Sequence, residues 1–99
     1  VLLADEPAAG LDPADQLTLF HHLAQLAAAG RTIVVAVHDL SLAARFCHSM
    51  ALVHDGRTLA AGAPPGVLRP EQLAAAYGIR ARFQAIDGVP VVLALDVLP

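Results

Sequence analysis

Short runs of consecutive apolar residues alternate with helical periodicity along the first half of the chain. Residues 1–4 and 32–37 are such runs, and each is followed directly by polar side chains. Apolar runs without alternation predict strands that are buried on both faces of a parallel sheet. Between the two runs, Asp12 and Pro13 are typical of a helix N-cap and a first helical residue. Apolar residues then recur at helical spacing as far as Gly30, a typical helix stop.

The second half of the chain predicts short helices and two hairpins. Helices are expected at about residues 41–48 and 70–77, and residues 62–65, with two prolines and a glycine, are expected to form a linker. Two Asp-Gly pairs are typical of the type I′ turns that join hairpin strands. They separate apolar segments 50–53 and 58–61 in the first hairpin, and 82–86 and 89–95 in the second. The predicted fold class is α/β, a core of parallel strands followed by antiparallel hairpins and short helices.

Composition narrows the range of possible functions. Hydrophobic residues make up 57% of the 99 residues, the mean hydropathy is +0.60, and the net charge is −3. This apolar excess excludes an intrinsically disordered chain. The acidic balance argues against a nucleic-acid partner, which requires a basic face. All six basic residues are arginines, so the chain contains no lysine. No apolar run approaches the roughly 18 residues that a membrane-spanning helix needs.

Polar side chains follow the two predicted parallel strands where each strand ends. Asp5 and Glu6 come after the first strand, and His38 and Asp39 come after the second. Ligand sites of open α/β sheets lie beyond the carboxyl ends of the strands. A carboxylate such as Asp5 suits Mg²⁺, Glu6 could deprotonate a water, and His38 could donate to a phosphate oxygen. The set is compatible with metal-assisted phosphoryl transfer to water, and equally with a histidine that makes a structural hydrogen bond.

The sequences of four segments resemble motifs of one protein family. "VLLADEP" resembles the Walker B motif of ATP-binding cassette (ABC) ATPases, "AAGLDP" resembles their D-loop, and "TIVVAVHDL" resembles their switch-histidine region. The segment "ALVHDGRTLAAGAP" is similar to the hairpin that follows in these proteins. The motifs come in the family's order, and His38 lies 32 positions after Glu6. The resemblance covers residues 1 to about 70 and implies a partial P-loop NTPase core.

The resemblance also implies roles for individual residues. Asp5 would help to hold Mg²⁺ through water, Glu6 would be the general base for attack on the γ-phosphate of ATP, and His38 would contact that phosphate. Asp12 would lie at the D-loop and face a partner cassette across the nucleotide. The D-loop here contains Ala-Gly-Leu-Asp where many members have Ser-Ala-Leu-Asp, so any contact of that serine hydroxyl is absent.

Other motifs of the family are missing from the chain. A Walker A motif needs a lysine that reaches the β- and γ-phosphates, and no lysine is present. The Q-loop glutamine and the Leu-Ser-Gly-Gly-Gln signature are also absent. The resemblance therefore implies the C-terminal part of one cassette, inactive by itself. Residues 1–70 would belong to the ATPase domain, and residues 71–99 would form a C-terminal extension of a helix and a hairpin.

The extension points to one subgroup of the family. Residues 71–95 are similar to the tail of importer cassettes for iron–siderophore, haem or cobalamin. The resemblance implies an ATP-hydrolysing importer subunit that uses ATP and Mg²⁺ in the cytoplasm, peripheral to the inner membrane. Its implied partners are a second cassette, transmembrane permease subunits and, indirectly, a solute-binding protein, with no nucleic acid. Two alternatives stay open: a soluble ABC-type ATPase of DNA repair or translation, and an inactive fragment that acts only as a binding module.

Overall fold

Six strands and four helices make up the computed structural model, which describes all 99 residues. In chain order they are β1 (Leu2–Asp5), α1 (Pro13–Ala28), β2 (Ile33–Ala36), α2 (Leu40–Phe46), β3 (Met50–His54), β4 (Arg57–Gly62), α3 (Pro64–Val67), α4 (Pro70–Tyr77), β5 (Ile79–Ile86) and β6 (Val89–Val97). None of the helices combines the length and the apolar character that a membrane span requires.

The strands form three separate pairs. β1 and β2 pair in parallel, with Asp5 opposite Ala36, whereas β3–β4 and β5–β6 are antiparallel hairpins. Both hairpins turn through Asp-Gly. Asp55 and Gly56 have φ angles of 51° and 72°, and Asp87 and Gly88 have φ angles of 51° and 76°. Two successive residues with positive φ are what a type I′ turn requires, so this part of the sequence prediction is correct.

The ends of α1 and α4 follow from their capping residues. The Asp12 carboxylate accepts a hydrogen bond of 2.9 Å from the backbone N–H of Asp15, and Pro13 begins α1, where a missing N–H costs nothing. α4 ends at Gly78, whose left-handed conformation (φ 66°) is the usual glycine stop.

Three expectations of the sequence are wrong. β1 and β2 are not buried on both faces: Leu3 is 72% exposed and Val34 is 52% exposed, because no element of the chain packs on their outer face. The expected linker at 62–65 instead leads into α3, where Pro64 starts the turn and is buried with Val67. β5 begins at Ile79 rather than at residue 82, because it continues directly from the glycine that ends α4.

The core consists of two small clusters that meet at α2. In the first cluster, the β1–α1 loop, α1 and α2 contribute Ala8, Phe20 and Leu42, and Val35 of β2 packs against them. The second cluster contains Ala44 of α2 together with Leu68, Leu73 and Ala81. α2 therefore connects the part of the chain that carries the parallel strands to the part that carries the C-terminal hairpin.

A cavity of about 700 Å³ is lined by both β2 and β3, which do not pair with each other. Nineteen of the 23 residues that line it are hydrophobic. A triphosphate needs positively charged and N–H donor groups, so this cavity is not suited to hold one. Each of the two strands keeps one edge without a hydrogen-bonded neighbour, and residues of both strands line this apolar cavity.

Candidate functional site

The carboxyl ends of the parallel strands bring the candidate residues together. Asp5 is the last residue of β1 and lies opposite Ala36, the last residue of β2. The backbone N–H of Glu6 continues the ladder and donates a 2.7 Å hydrogen bond to the Ala36 carbonyl. The chain beyond both strands therefore emerges at one edge, and the side chains of Glu6 and His38 are placed there.

Glu6 and His38 are in direct contact. Nε2 of His38 lies 3.2 Å from Oε1 of Glu6, which is an ion-pair distance when the imidazole is protonated. The Glu6 side chain is 35% exposed and that of His38 is 90% exposed. An exposed pair of this kind contributes little to stability.

The backbone of Glu6 is strained. Its φ angle is +49°, a left-handed conformation that side chains with a Cβ rarely adopt, and it is one of three non-glycine residues with positive φ. The other two are the aspartates of the hairpin turns, where this conformation is expected. Strain of this kind outside a turn of known type is concentrated at functional sites.

This strain predicts a difference in stability between two substitutions that both remove the carboxylate. Because glycine adopts positive φ without steric cost, Glu6→Gly should be more stable than Glu6→Ala by about 1 kcal/mol. Urea unfolding of the two variants measures the difference. Since alanine is the more stable residue where φ is negative, an alanine variant that is equal or better would contradict the strained geometry.

Asp12 lies in a different local setting. Its carboxylate caps α1 through the Asp15 N–H at 2.9 Å, and no hydrogen bond or ion pair joins Asp12 to Asp5, Glu6 or His38. The loop before it is anchored by the buried Ala8, whose carbonyl accepts a 3.4 Å hydrogen bond from the Gln16 side-chain amide. Asp12 therefore has a structural task, in addition to any contact with a partner.

The donor chemistry at Asp5 fits Mg²⁺. Asp5 is exposed at the end of β1 and directly precedes Glu6 in the chain. No group of three or more His, Cys, Asp or Glu side chains is arranged as a metal cage. Mg²⁺ is commonly held by one or two carboxylates together with waters and the phosphates of a nucleotide, and a single exposed carboxylate such as that of Asp5 is compatible with that mode.

Two hydrogen-bonding roles were not among the predictions from the sequence, that of Gln16 and the capping role of Asp39. Gln16 holds the loop after Glu6 through Ala8, and nothing in the sequence indicates this bond. Asp39 is the N-cap of α2, and its carboxylate accepts a 3.0 Å hydrogen bond from the Leu42 N–H. The signal for Asp39 was available, because an aspartate directly before a short apolar helix is a typical N-cap.

Cys47 is a half-buried free cysteine. Burial raises the pKa of its thiol, because the charged thiolate is less well solvated there than in water. The thiolate is the nucleophilic form of cysteine, so Cys47 is less reactive than a free thiol at neutral pH. The side chain also lines the large apolar cavity, which agrees with a packing role.

The sequence of the chain is similar to those of ATP-binding proteins that are named for import. A hemin import ATP-binding protein from Pseudomonas aeruginosa is 43% identical over 84 residues, which is 85% of this chain and 33% of that protein. A hemin import ATP-binding protein from Myxococcus xanthus is 42% identical over 89 residues, 90% of this chain and 33% of that protein. A cobalamin import ATP-binding protein from Halobacterium salinarum is 42% identical over 100 residues, all of this chain and 24% of that protein.

A solved structure agrees with these relatives at the level of the fold. It is an inward-facing metal-chelate type ABC transporter, and it matches 96% of this chain and 39% of its own with a TM-score of 0.76 and 20% identity. The chain is a relative of ABC-importer ATP-binding proteins. The α/β class predicted for an ABC-type segment is thereby confirmed. No family model matches the chain.

This ABC-importer relative spans about a third of the length of the hemin import proteins that it matches. The structure places Glu6 and His38 in contact and Asp5 at the adjacent strand end, whereas Asp12 caps α1. The catalytic, metal-binding and D-loop roles of these four residues stay predictions.

Proposed function

We propose that the chain is the C-terminal portion of the ATP-hydrolysing subunit of an ABC importer for iron–siderophore, haem or cobalamin. The observation that carries this proposal is the convergence of Glu6 and His38, 3.2 Å apart, where two parallel strands end. The proposal is supported by the names of the relatives, which import hemin and cobalamin. Hemin and cobalamin are both metal chelates, which is the class of cargo proposed here.

In the proposed reaction Glu6 accepts a proton from the water that attacks the γ-phosphate. His38 donates a hydrogen bond to that phosphate, so charge that develops there is stabilised. Asp5 would hold Mg²⁺ through water, and a bound Mg²⁺ would neutralise charge on the phosphate oxygens. The contact between Glu6 and His38 has to open when nucleotide binds, because each side chain then faces a different reactant.

The phosphate-binding half of the site has to come from outside these residues. Asp5, Glu6 and Asp12 are acidic, and the chain has no lysine with which to offset their repulsion of a triphosphate. In the proposed subunit a Walker A lysine and a signature motif supply this attraction. Residues 1–70 would complete the ATPase domain, and residues 71–99 would form its extension.

The proposed surroundings follow from the same assignment. The subunit would work at the cytoplasmic side of the membrane with transmembrane permease subunits. Asp12 would face a second cassette across the nucleotide, and a solute-binding protein would act indirectly through the permease. The net charge of −3 supports the absence of a nucleic-acid partner.

The test compares the 99-residue chain with the full-length polypeptide that contains it. We expect the full-length protein to bind and hydrolyse ATP in the presence of Mg²⁺. The isolated chain should show no binding in a calorimetric titration with ATP, because it has carboxylates but no phosphate cradle. A full-length protein without ATP hydrolysis would refute the proposed function, and it would leave a binding module as the better description.

A second measurement separates transport from the alternative ATPases. Full-length protein reconstituted with its permease in vesicles should hydrolyse ATP faster when a haem, cobalamin or iron–siderophore complex is supplied with the solute-binding protein. Stimulation by DNA or RNA instead would assign the protein to repair or translation.

A further inference from the structure

The C-terminal hairpin, formed by β5 and β6, has no task in the proposed reaction, yet it is bonded to the helix beside His38. The backbone N–H of Val92 donates a 2.9 Å hydrogen bond to Oγ of Ser41, 51 positions earlier in the chain. Every other hydrogen bond that involves a side chain joins residues no more than eight positions apart. The hairpin is therefore held on α2 by a specific long-range contact.

α2 needs support of this kind. It has only seven residues, and a helix of that length is unstable in water without tertiary packing. It begins at Leu40, two residues after His38, and Asp39 caps it. Whatever fixes the first turn of α2 therefore also fixes the backbone from which the His38 side chain projects.

The hairpin also packs on α2 through apolar side chains. Phe83 of β5 and Val92 of β6 lie against the cluster that contains Ala44 of α2. At the other end of the hairpin, Val89 and Pro90 share a cavity of about 250 Å³ with residues that include Asp39. The hairpin thus contacts α2 by a hydrogen bond and by packing, and its residues line one cavity together with Asp39, which follows His38.

The His38 side chain has little support of its own. It is 90% exposed, and its contact with Glu6 is its one ion pair or side-chain hydrogen bond. Its position is consequently set by the backbone between β2 and α2. A shift of the first turn of α2 would move the imidazole relative to Glu6 without touching either residue.

We propose that the C-terminal hairpin is a brace for α2, and that Ser41 is a positioning residue through which the brace fixes the backbone that carries His38. The support of α2 by the hairpin rests on the contacts of Ser41 and Val92. The effect on ATP hydrolysis rests in addition on the proposed function of Glu6 and His38.

The test uses three variants of the full-length protein. Ser41→Ala removes the hydroxyl acceptor and leaves the half-buried Val92 N–H without a partner. Ser41→Thr keeps a hydroxyl at the same position and serves as the rescue. Thr18→Ala is the matched control, because it removes one hydroxyl whose 3.0 Å bond to the Ala14 carbonyl stays within α1.

Amide hydrogen exchange reports on the brace itself. In Ser41→Ala the amides of Val92 and of α2 should exchange about tenfold faster than in the parent, since one hydrogen bond that holds them is lost. Ser41→Thr and Thr18→Ala should keep the parent rates in α2. Unchanged exchange of α2 in Ser41→Ala would overturn the proposal, whether or not the protein hydrolyses ATP.

Steady-state kinetics reports on the positioning. We expect Ser41→Ala to lower kcat for ATP about tenfold with KM within about twofold of the parent, since a small displacement affects the reacting geometry more than nucleotide binding. Ser41→Thr should restore kcat. Equal loss of kcat in the alanine and threonine variants would overturn the role of the hydroxyl. A parent without ATP hydrolysis would refute the proposed function alone, because hydrogen exchange still decides the brace.

Discussion

Glu6→Gln in the full-length polypeptide should abolish steady ATP hydrolysis and leave ATP binding intact. The amide of glutamine occupies nearly the same volume but cannot accept the proton of the attacking water. Loss of a positioned general base costs about 10²- to 10⁴-fold in rate. Phosphate release measured with saturating ATP gives the rate, and a calorimetric titration with ATP gives the affinity.

The control for this variant is the same substitution at a carboxylate on another element, α4. Glu71 lies in the first turn of α4, is exposed, and pairs with Arg69 at 3.0 Å. Glu71→Gln should hydrolyse ATP at the parent rate, because an exposed pair of this kind contributes little to stability. Continued turnover in Glu6→Gln, at a rate close to that of Glu71→Gln, would exclude Glu6 as the base.

Phe20→Ala should lower the free energy of unfolding by about 3–5 kcal/mol, the usual cost of truncating a buried phenylalanine. Phe20 is 2% exposed and clusters with Ala8 and Leu42, and its ring centre lies 5.5 Å from that of Phe46. It therefore joins α1, the loop after Glu6 and α2. Urea unfolding of the full-length variant measures the loss.

The matched control removes an aromatic ring that packs less closely. Tyr77, at the end of α4, is 46% exposed, so Tyr77→Ala should cost clearly less than Phe20→Ala. If Phe20→Ala is too unstable to purify, Phe20→Leu takes its place, because leucine keeps most of the apolar volume. The free energy of unfolding of Phe20→Leu should lie between those of the parent and Tyr77→Ala, or close to that of Tyr77→Ala. Equal losses for Phe20→Ala and Tyr77→Ala would contradict the packing described for Phe20.

Local chemistry made much of the fold predictable from the sequence. Asp12 and Pro13 specify the start of α1, and Gly78 specifies the end of α4, because each residue satisfies a backbone requirement at its own position. The Asp-Gly turns do the same for the hairpins. The approach of Glu6 to His38 could be anticipated because parallel strands present their carboxyl ends at one edge.

Features that depend on distant parts of the chain could not be predicted in this way. The bond between Ser41 and Val92 joins residues 51 positions apart, and neither carries a local signal for it. The short helix α3 was not predicted, because its two prolines indicate a linker when tertiary packing is unknown. The strained φ of Glu6 has no counterpart in composition or periodicity, because it depends on how the chain leaves β1.

Leu3 and Val34 are exposed on the uncovered face of the β1–β2 pair. This face affects how the transition temperature in a thermal unfolding experiment on the 99-residue chain is interpreted. Polypeptide that binds the folded form on this face shifts the unfolding equilibrium by mass action. The transition temperature of the chain would then rise with the concentration of that polypeptide, or of the chain itself if copies cover one another. The measured transition temperature would then report the strength of this association as well as the stability of the single folded chain.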